Sequence, residues 1–347
     1  MQRRIKHRAW TEFQLTLSDS QPDGFQAMDS FLNETGSFLL HADFFGPAER
    51  VAFISSELLE RGISGPATRL LQVAGVGGGM QMSAVSGLET TLLYDGERMI
   101  GRFFEDADAK YCFMGDVQPW DPAASRSEQT GQVLQTIQTV LAGVGMHFKD
   151  VVRTWFYNDR ILDWYDDFNR VRTAFFEHHG ITRMPASTGI GAPNASGTAL
   201  VAKVIAVQPK TGDVRIQRIH SPLQCEAPEY GSAFSRAMEV SDSLVRTIYV
   251  SGTASIEPAG RTVHVGNAAG QIEKTMEVVQ ALLAAAGMDW LNTSRAIAYF
   301  RNTDDISHWH DYCLNRQLPP LPVILMPSVI CRDDLLFELE LDAVAEL

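Results

Sequence analysis

Cysteines are scarce in this sequence, and those present are not spaced as metal ligands or redox pairs. The chain has four in 347 residues, with no C-x-x-C pair: Cys112, Cys225, Cys313 and Cys331. This usage predicts neither a disulfide framework nor a metal site of the zinc type. Because free thiols persist in reducing compartments, we expect a cytoplasmic protein.

The chain also lacks long hydrophobic runs. Its apolar stretches are too short and too interrupted to span a bilayer, and no apolar segment of a secretory signal follows the basic start MQRRIKHRAW. Hydrophobic residues make up 45% and charged residues 20%, which is typical of a soluble globular protein. We therefore expect no membrane partner. A length of 347 residues favours two domains.

Basic residues are few relative to acidic ones. Lysine and arginine total 29 against 42 aspartates and glutamates, for a formal net charge of −13. Phosphate backbones bind to basic surfaces, so we expect no nucleic-acid partner. The same balance is compatible with a small anion held by a few arginines in a local pocket.

Two segments of about a hundred residues each repeat one pattern. The matched pairs are Gly145 and Gly287, Arg153 and Arg295, and Tyr157 and Tyr299. Each copy has an apolar strand, a helix with apolar residues at helical spacing, a strand, a second helix around a tryptophan, and a closing strand. Both glycines of the first pair fall where the C-terminal end of a helix favours a left-handed residue.

This order predicts an α+β fold with two fused β-α-β-α-β units, mixed sheets and helices packed on one face. We expect an N-terminal domain over residues 1–212, with its core at about 110–208 behind an N-terminal extension, and a C-terminal domain over residues 213–347. The sequence leaves the role of residues 1–108 open.

The last predicted strand lies within VICRDDLLFELELDAVAEL and alternates apolar and acidic residues. Glu338, Glu340 and Asp342 share one face, because successive side chains of a strand point to opposite faces. Such a row is either a solvated outer face or contains an acid in a cleft. Aligning the copies puts Val201 opposite Glu338 and Lys203 opposite Glu340, so only one copy carries the acid.

The repeated unit, the A-A-G-M after a first helix and the closing E-L-E-L-D-A-V resemble the Rid (YjgF-like, also chorismate-mutase-like) fold. Further motifs are similar to the chorismatases, a two-domain branch of that superfamily, from about residue 110 to the end. They are V-V-R-T-W-F-Y, Met184–Gly191, Tyr230–Met238, Val250–Ile256 and Cys331–Glu340. The most specific element is Cys331 followed seven residues later by Glu338.

The resemblance implies an enzyme that cleaves the enolpyruvyl ether of chorismate and releases pyruvate, without a cofactor. It implies that Glu338 is the acid, and that Cys331 together with Gly252 is typical of the subtype forming 3-hydroxybenzoate. 4-Hydroxybenzoate or a dihydroxycyclohexadiene carboxylate stays open as the second product. We place Cys331 in the catalytic site in a packing or product-selecting role, since no histidine lies near it in sequence to activate a thiolate.

The chemistry needs an acid that is still protonated near neutral pH, because an enol ether is cleaved by protonating its terminal methylene carbon. A free glutamate has a pKa of about 4.3 and is mostly ionised there. Burial raises that pKa, and so do neighbouring carboxylates. We therefore expect Glu340 and Asp342 to help keep Glu338 protonated.

Chorismate is a dianion, so its pocket is expected to offer arginines and hydroxyl donors. The candidates for substrate binding are Arg153, Arg172, Arg236, Tyr157 and Tyr230, together with Gly252. The alternative for each arginine is a structural ion pair, and for each tyrosine a space-filling role.

Two other functions stay open. One is a Rid-like imine or enamine hydrolase acting on another small acid, although the arginine that such enzymes carry shortly before the last strand has no counterpart here. The other is a non-catalytic module that binds a small metabolite. Rid proteins are usually trimers, so a homo-oligomer is compatible with the sequence.

Overall fold

The computed structural model describes residues 1–18, 24–72, 77–226 and 231–347. Within them the chain forms three sheets, each with its own helices, at residues 2–86, 91–209 and 215–346. We call these the N-terminal, middle and C-terminal units. None of the helices described has both the length and the apolar character that crossing a bilayer requires.

The N-terminal unit has the sheet order β1-β2-β5-β3-β4. Its elements are β1 (Gln2–Lys6), β2 (Thr11–Ser18), α1 (Gly24–Thr35), β3 (Phe38–Gly46), α2 (Ala48–Val51), α3 (Ile54–Glu60), β4 (Ala67–Leu71) and β5 (Gly79–Ser86).

The middle unit has the order β10-β9-β11-β8-β7-β6. Its elements are β6 (Thr91–Asp95), β7 (Arg98–Glu105), β8 (Ala109–Val117), α4 (Arg126–Gly143), β9 (Val151–Asn158), α5 (Tyr165–His178), β10 (Ala186–Gly191) and β11 (Leu200–Pro209).

The C-terminal unit has the order β12-β13-β14-β17-β15-β16. Its elements are β12 (Arg215–Ile219), β13 (Ala237–Ser241), β14 (Val245–Ala254), α6 (Ala268–Ala285), β15 (Thr293–Phe300), α7 (Ile306–Asn315), β16 (Val323–Pro327) and β17 (Phe337–Glu346).

The predicted α+β class and mixed sheets are confirmed. β3–β4, β9–β10 and β15–β16 pair in parallel, and the other ladders are antiparallel. The two predicted β-α-β-α-β units are the middle and C-terminal ones. The N-terminal residues, whose role the sequence left open, form a third sheet in which β1-β2-β5-β3-β4 repeats the order β7-β8-β11-β9-β10. The division into domains at 212/213 stays a prediction, and it falls in the connection between β11 and β12.

Helices cover one face of the middle sheet, as the apolar stripe of α4 predicts. Ser125 caps this helix and forms a capping box with Glu128, which satisfies free backbone donors of the first turn. The stripe of Val133, Ile137 and their neighbours is fully buried in one core cluster with strand residues of the sheet. α6 covers the C-terminal sheet in the same way.

The opposite, helix-free faces of the three sheets meet in a central core. This core contains Phe45 of the N-terminal unit, Trp155 and Tyr157 of the middle unit, and Tyr299 and Ile324 of the C-terminal unit.

One strand of each unit has an extra residue at an equivalent position. β3, β9 and β15 each shift register by one residue against β5, β11 and β17. The residues that follow the shift are His41, Arg153 and Arg295, so these three side chains occupy equivalent positions around the core.

The closing strands are equivalent as well. Val201 lies opposite Tyr157, and Glu338 lies opposite Tyr299. The register therefore confirms the alignment of Val201 with Glu338 that the repeat predicts.

Candidate active site

The candidate site lies where β10 of the middle unit meets β14 of the C-terminal unit. A bulge between Val250 and Thr253 takes part of β14 out of its ladder with β17. The freed residues bond across the unit boundary: the Ser187 N–H donates to Ser251 Oγ at 2.8 Å, and the Gly252 N–H donates to Thr188 Oγ1 at 3.1 Å.

A cavity of about 550 Å³, including its open mouth, lies beside this junction. The middle unit contributes Tyr165, Arg172 and Ser187 to its wall, and the C-terminal unit contributes Arg236, Gly252, Cys331, Arg332 and Glu338.

Glu338 is the carboxyl group of this wall. It lies on β17 between Ala254 and Tyr299, and it is only 4% exposed. Burial first, and then the negative charge of Glu340, raise the pKa of Glu338 to about 8, against the lowering influence of Arg153. Its carboxyl group is therefore mostly protonated at neutral pH.

Glu340 belongs to a different environment, which we call the central ion cluster: Asp43, Arg153, Lys203, Arg295, Glu340 and Asp342. Arg153 Nη2 lies 2.5 Å from Glu340 Oε2, and Arg295 and Thr188 also bind this carboxylate. Burial alone would raise the pKa of Glu340, but Arg295 and Arg153 outweigh it and hold the pKa at about 2.

All three carboxylates of the last strand therefore face the interior. Glu338, Glu340 and Asp342 are 4%, 0% and 3% exposed. The solvated-face interpretation is wrong, and the acid-in-a-cleft interpretation agrees with the structure.

Two of the predicted arginines line the cavity. Arg172 Nη2 donates to Asn169 Oδ1 at 2.7 Å, and Nη1 lies 3.4 Å from Ser187 Oγ. Arg236 donates to the Cys225 carbonyl through Nε and Nη2, at 2.9 and 2.7 Å. Both residues are 2% exposed, so these contacts hold the guanidinium groups in place at the wall.

Arg153 and Tyr157 lie behind the wall, which corrects their prediction as substrate-binding residues. Both are fully buried, and neither lines the cavity. Arg153 pairs with Glu340 and stacks over the Trp155 ring at 4.3 Å from its centroid. It is the buried ion pair that the sequence offered as the alternative, because the residue after the β9 bulge points toward the other two sheets.

Cys331 and Gly252 both border Glu338. Burial first, and then the charge of Glu338, raise the pKa of the Cys331 thiol to about 12, so it is not poised as a nucleophile. At Gly252 an added methyl group would collide with the Glu338 carboxyl group. Tyr230 lies outside the described residues.

Sequence reasoning missed three residues of the site. Arg332 follows Cys331 in the same motif, and its Nη1 donates to the Gly260 carbonyl at 2.8 Å. Tyr165 reaches the cavity from α5 of the other unit and hydrogen-bonds the Cys331 thiol. Thr188 lies inside the quoted motif M-P-A-S-T-G-I-G. Arg332 and Thr188 both lie in motifs that the sequence analysis singled out, whereas the place of Tyr165 depends on which units meet.

The part of the chain that the structure describes contains no group of three His, Cys, Asp or Glu side chains placed to hold a metal ion.

Comparison with known proteins agrees with this architecture. A family model described as Endoribonuclease L-PSP matches residues 118–208. A 3-hydroxybenzoate synthase of Streptomyces hygroscopicus is 26% identical over 259 residues, which is 67% of this chain and 74% of that protein. A chorismatase of Streptomyces rapamycinicus is 30% identical over 220 residues, 56% of this chain and 64% of that protein.

A chorismatase of Streptomyces hygroscopicus is 28% identical over 215 residues, covering 55% of this chain and 60% of its own length. The crystal structure of a chorismatase superposes with a TM-score of 0.68 at 19% identity, covering 96% of this chain and 98% of that one. The superposition shows that the fold is shared over nearly the whole chain. The chain is therefore similar in sequence to chorismatases over part of its length, and it shares the chorismatase fold over nearly all of it.

Proposed function

We propose that this protein is a chorismatase-like enzyme that cleaves the enolpyruvyl ether of chorismate and releases pyruvate. The observation that carries the proposal is Glu338: a buried carboxyl group with a pKa of about 8, in a cavity whose wall also contains Arg172, Arg236 and Arg332. An acid and several guanidinium groups are what a dianionic enol ether needs.

In the proposed reaction Glu338 donates its proton to the terminal methylene carbon of the enolpyruvyl group. The ether then becomes an oxocarbenium ion, and Glu338 becomes a carboxylate. Water adds to the cation to give a hemiketal, whose bond to the ring oxygen then breaks as that oxygen takes the hemiketal hydroxyl proton. The products are pyruvate and the dihydroxycyclohexadiene carboxylate. Loss of water from this diene, as one ring hydroxyl and one ring hydrogen, gives a hydroxybenzoate. The proton released by the adding oxygen returns to Glu338, so the cycle closes without a cofactor.

The arginines are proposed to hold the two carboxylates of the substrate. Guanidinium groups remain charged at any physiological pH and match carboxylates geometrically. Arg172 comes from the middle unit, whereas Arg236 and Arg332 come from the C-terminal unit. A substrate with two separated carboxylates can contact both units, which fits chorismate better than a monoanion.

For the second product we favour 3-hydroxybenzoate over 4-hydroxybenzoate or the dihydroxycyclohexadiene carboxylate. The support is the pairing of Gly252 with Cys331 beside the acid, and the similarity to a 3-hydroxybenzoate synthase. Glycine at position 252 leaves space for the Glu338 carboxyl group. Cys331 is proposed to shape the space beside the ring.

The test is incubation of the purified protein with chorismate, with pyruvate followed by lactate dehydrogenase coupling and aromatic products by chromatography. Pyruvate release that disappears in Glu338→Gln supports the proposal. Deamination of an enamine without pyruvate release would identify a Rid-like hydrolase instead. Tight chorismate binding without turnover would identify a metabolite-binding module.

A further inference from the structure

The Thr188 hydroxyl stands at the junction between the central ion cluster and the cavity wall. Its Oγ1 donates to the Glu340 carboxylate and accepts hydrogen bonds from Arg153 Nη2 at 2.8 Å and from the Gly252 N–H at 3.1 Å. One donated and two accepted bonds exhaust the capacity of a hydroxyl group. Thr188 is 1% exposed, so no water replaces these partners.

We propose that Thr188 is a positioning residue for the reaction at Glu338: its hydroxyl ties the Gly252 backbone, which borders the acid, to the Glu340 carboxyl group. This inference rests on the proposed function. Glu338 and Glu340 belong to one strand, so the tie fixes the wall of the cavity relative to the strand that carries the acid.

The contact at Gly252 explains why this tie matters. The backbone there approaches the Glu338 carboxyl group so closely that a methyl group would not fit. A small shift of the β14 bulge therefore changes the space available to the Glu338 carboxyl group. Misplacing a reacting group by about 1 Å can lower a rate roughly a hundredfold.

The chain contains an internal control at Thr68. This residue pairs with Asp43 on β3, as Thr188 pairs with Trp155 on β9, and its Oγ1 accepts a hydrogen bond from the Asp116 N–H at 3.1 Å. The same strand-to-bulge bond thus joins the N-terminal and middle units. In that cleft Val201 takes the place of the acid.

Asp116 occupies there the place that Gly252 has in the active-site cleft. It has a φ of 52° and lies 3.7 Å from Arg69 and 2.8 Å from Gln118. Thr68 thus makes the equivalent bond at a junction where Val201 replaces Glu338, which makes it the matched control for Thr188.

The experiment compares Thr188→Val, Thr188→Ser and Thr68→Val by kcat and KM for pyruvate release, with melting temperatures measured in parallel. We expect Thr188→Val to lower kcat about ten- to a hundredfold with little change in KM, because the acid and not the arginines is displaced. Thr188→Ser keeps the hydroxyl and should retain kcat. Thr68→Val should lose stability but keep kcat.

Equal kcat values for Thr188→Val and Thr68→Val, or equal losses in Thr188→Ser and Thr188→Val, would overturn the inference. If Thr188→Val does not fold, Thr188→Cys takes its place, because a thiol forms only weak hydrogen bonds. A kcat of Thr188→Cys equal to that of Thr188→Ser would then overturn the inference. Absence of pyruvate release from the unmodified protein would overturn the proposed function and this inference together.

Discussion

Glu338 and Glu340 lie two residues apart on one face of β17, yet their surroundings drive their pKa values in opposite directions. Burial and the charge of Glu340 raise the pKa of Glu338 to about 8, whereas Arg295 and Arg153 hold that of Glu340 at about 2 against the effect of burial. Carboxyl groups separated in this way can take different roles. We assign the proton to Glu338 and a fixed negative charge to Glu340.

The first prediction concerns pH. Because the reaction needs protonated Glu338, kcat/KM for chorismate should fall as pH rises through about 8, the pKa of this group in the free enzyme. Initial rates of pyruvate release across pH 6 to 10 test this. Enzyme preincubated at each pH and assayed at pH 7 controls for unfolding. A flat profile through pH 9 would contradict the assignment.

The second prediction is that the acid lowers stability. Folded Glu338 keeps its proton up to about pH 8, whereas the unfolded chain releases it near 4.3. Between these values the folded state binds more protons, so the free energy of unfolding falls as pH rises.

Glu338→Gln removes this pH-dependent decrease in the free energy of unfolding, because glutamine does not titrate. The variant should be more stable than the unmodified protein by a few kcal/mol at pH 8, with the gap closing toward pH 5. Urea unfolding at both pH values measures the difference. A gap that does not change with pH would mean that the glutamate has no raised pKa.

The third prediction concerns room around the acid. Gly252→Ala places a methyl group against the Glu338 carboxyl group and should lower kcat about tenfold or more, or shift the product ratio, with the fold intact. The matched control is Gly189→Ala in the same wall, where a methyl group would meet the nearest atom, Tyr165 Cε2, at 3.6 Å. Equal kcat values and product ratios in the two variants would show that the reaction does not need the space that Gly252 leaves beside Glu338.

The fourth prediction concerns the central ion cluster. Lys203 pairs with Asp43 across two units, both residues are fully buried, and the ammonium group lies 4.0 Å from the Trp155 ring centroid. Lys203→Met leaves Asp43 without its partner and should lower the free energy of unfolding by about 3–5 kcal/mol. Lys203→Met with Asp43→Leu should recover most of that loss.

Arg316→Ala is the control for this experiment, since Arg316 and Glu273 form an exposed pair. Its effect on unfolding should stay within about 1 kcal/mol. Lys203→Met with an effect as small as that of Arg316→Ala would show that the cluster does not contribute to joining the units.

The sequence predicted the elements that repeat strongly. Long helices with regular apolar spacing and the paired glycines at 145 and 287 identified two units, and the strict alternation around Glu338 identified the strand of the acid. The N-terminal unit was not recognised as a third copy of the repeat. Its second helical region is divided into α2, of four residues, and α3, of seven, whereas the middle unit has the single helix α5 there.

The sequence could not show which of the candidate arginines line the cavity and which lie in the core. Arg153 and Arg172 look equally suitable along the chain, but the bulge in β9 directs Arg153 into the core, whereas α5 brings Arg172 to the cavity. Contacts between units decide such placements, and they depend on how three sheets meet. Tyr165 was missed for the same reason, and so was the role of Thr188, whose partner Glu340 belongs to the other unit.

The most direct measurement is the titration of the Glu338 carboxyl group itself. Infrared difference spectra between the unmodified protein and Glu338→Gln isolate the band of its protonated form at each pH. The account predicts that this band persists at neutral pH and disappears with a midpoint near 8. A midpoint near 4.3, as in a free glutamate, would contradict it.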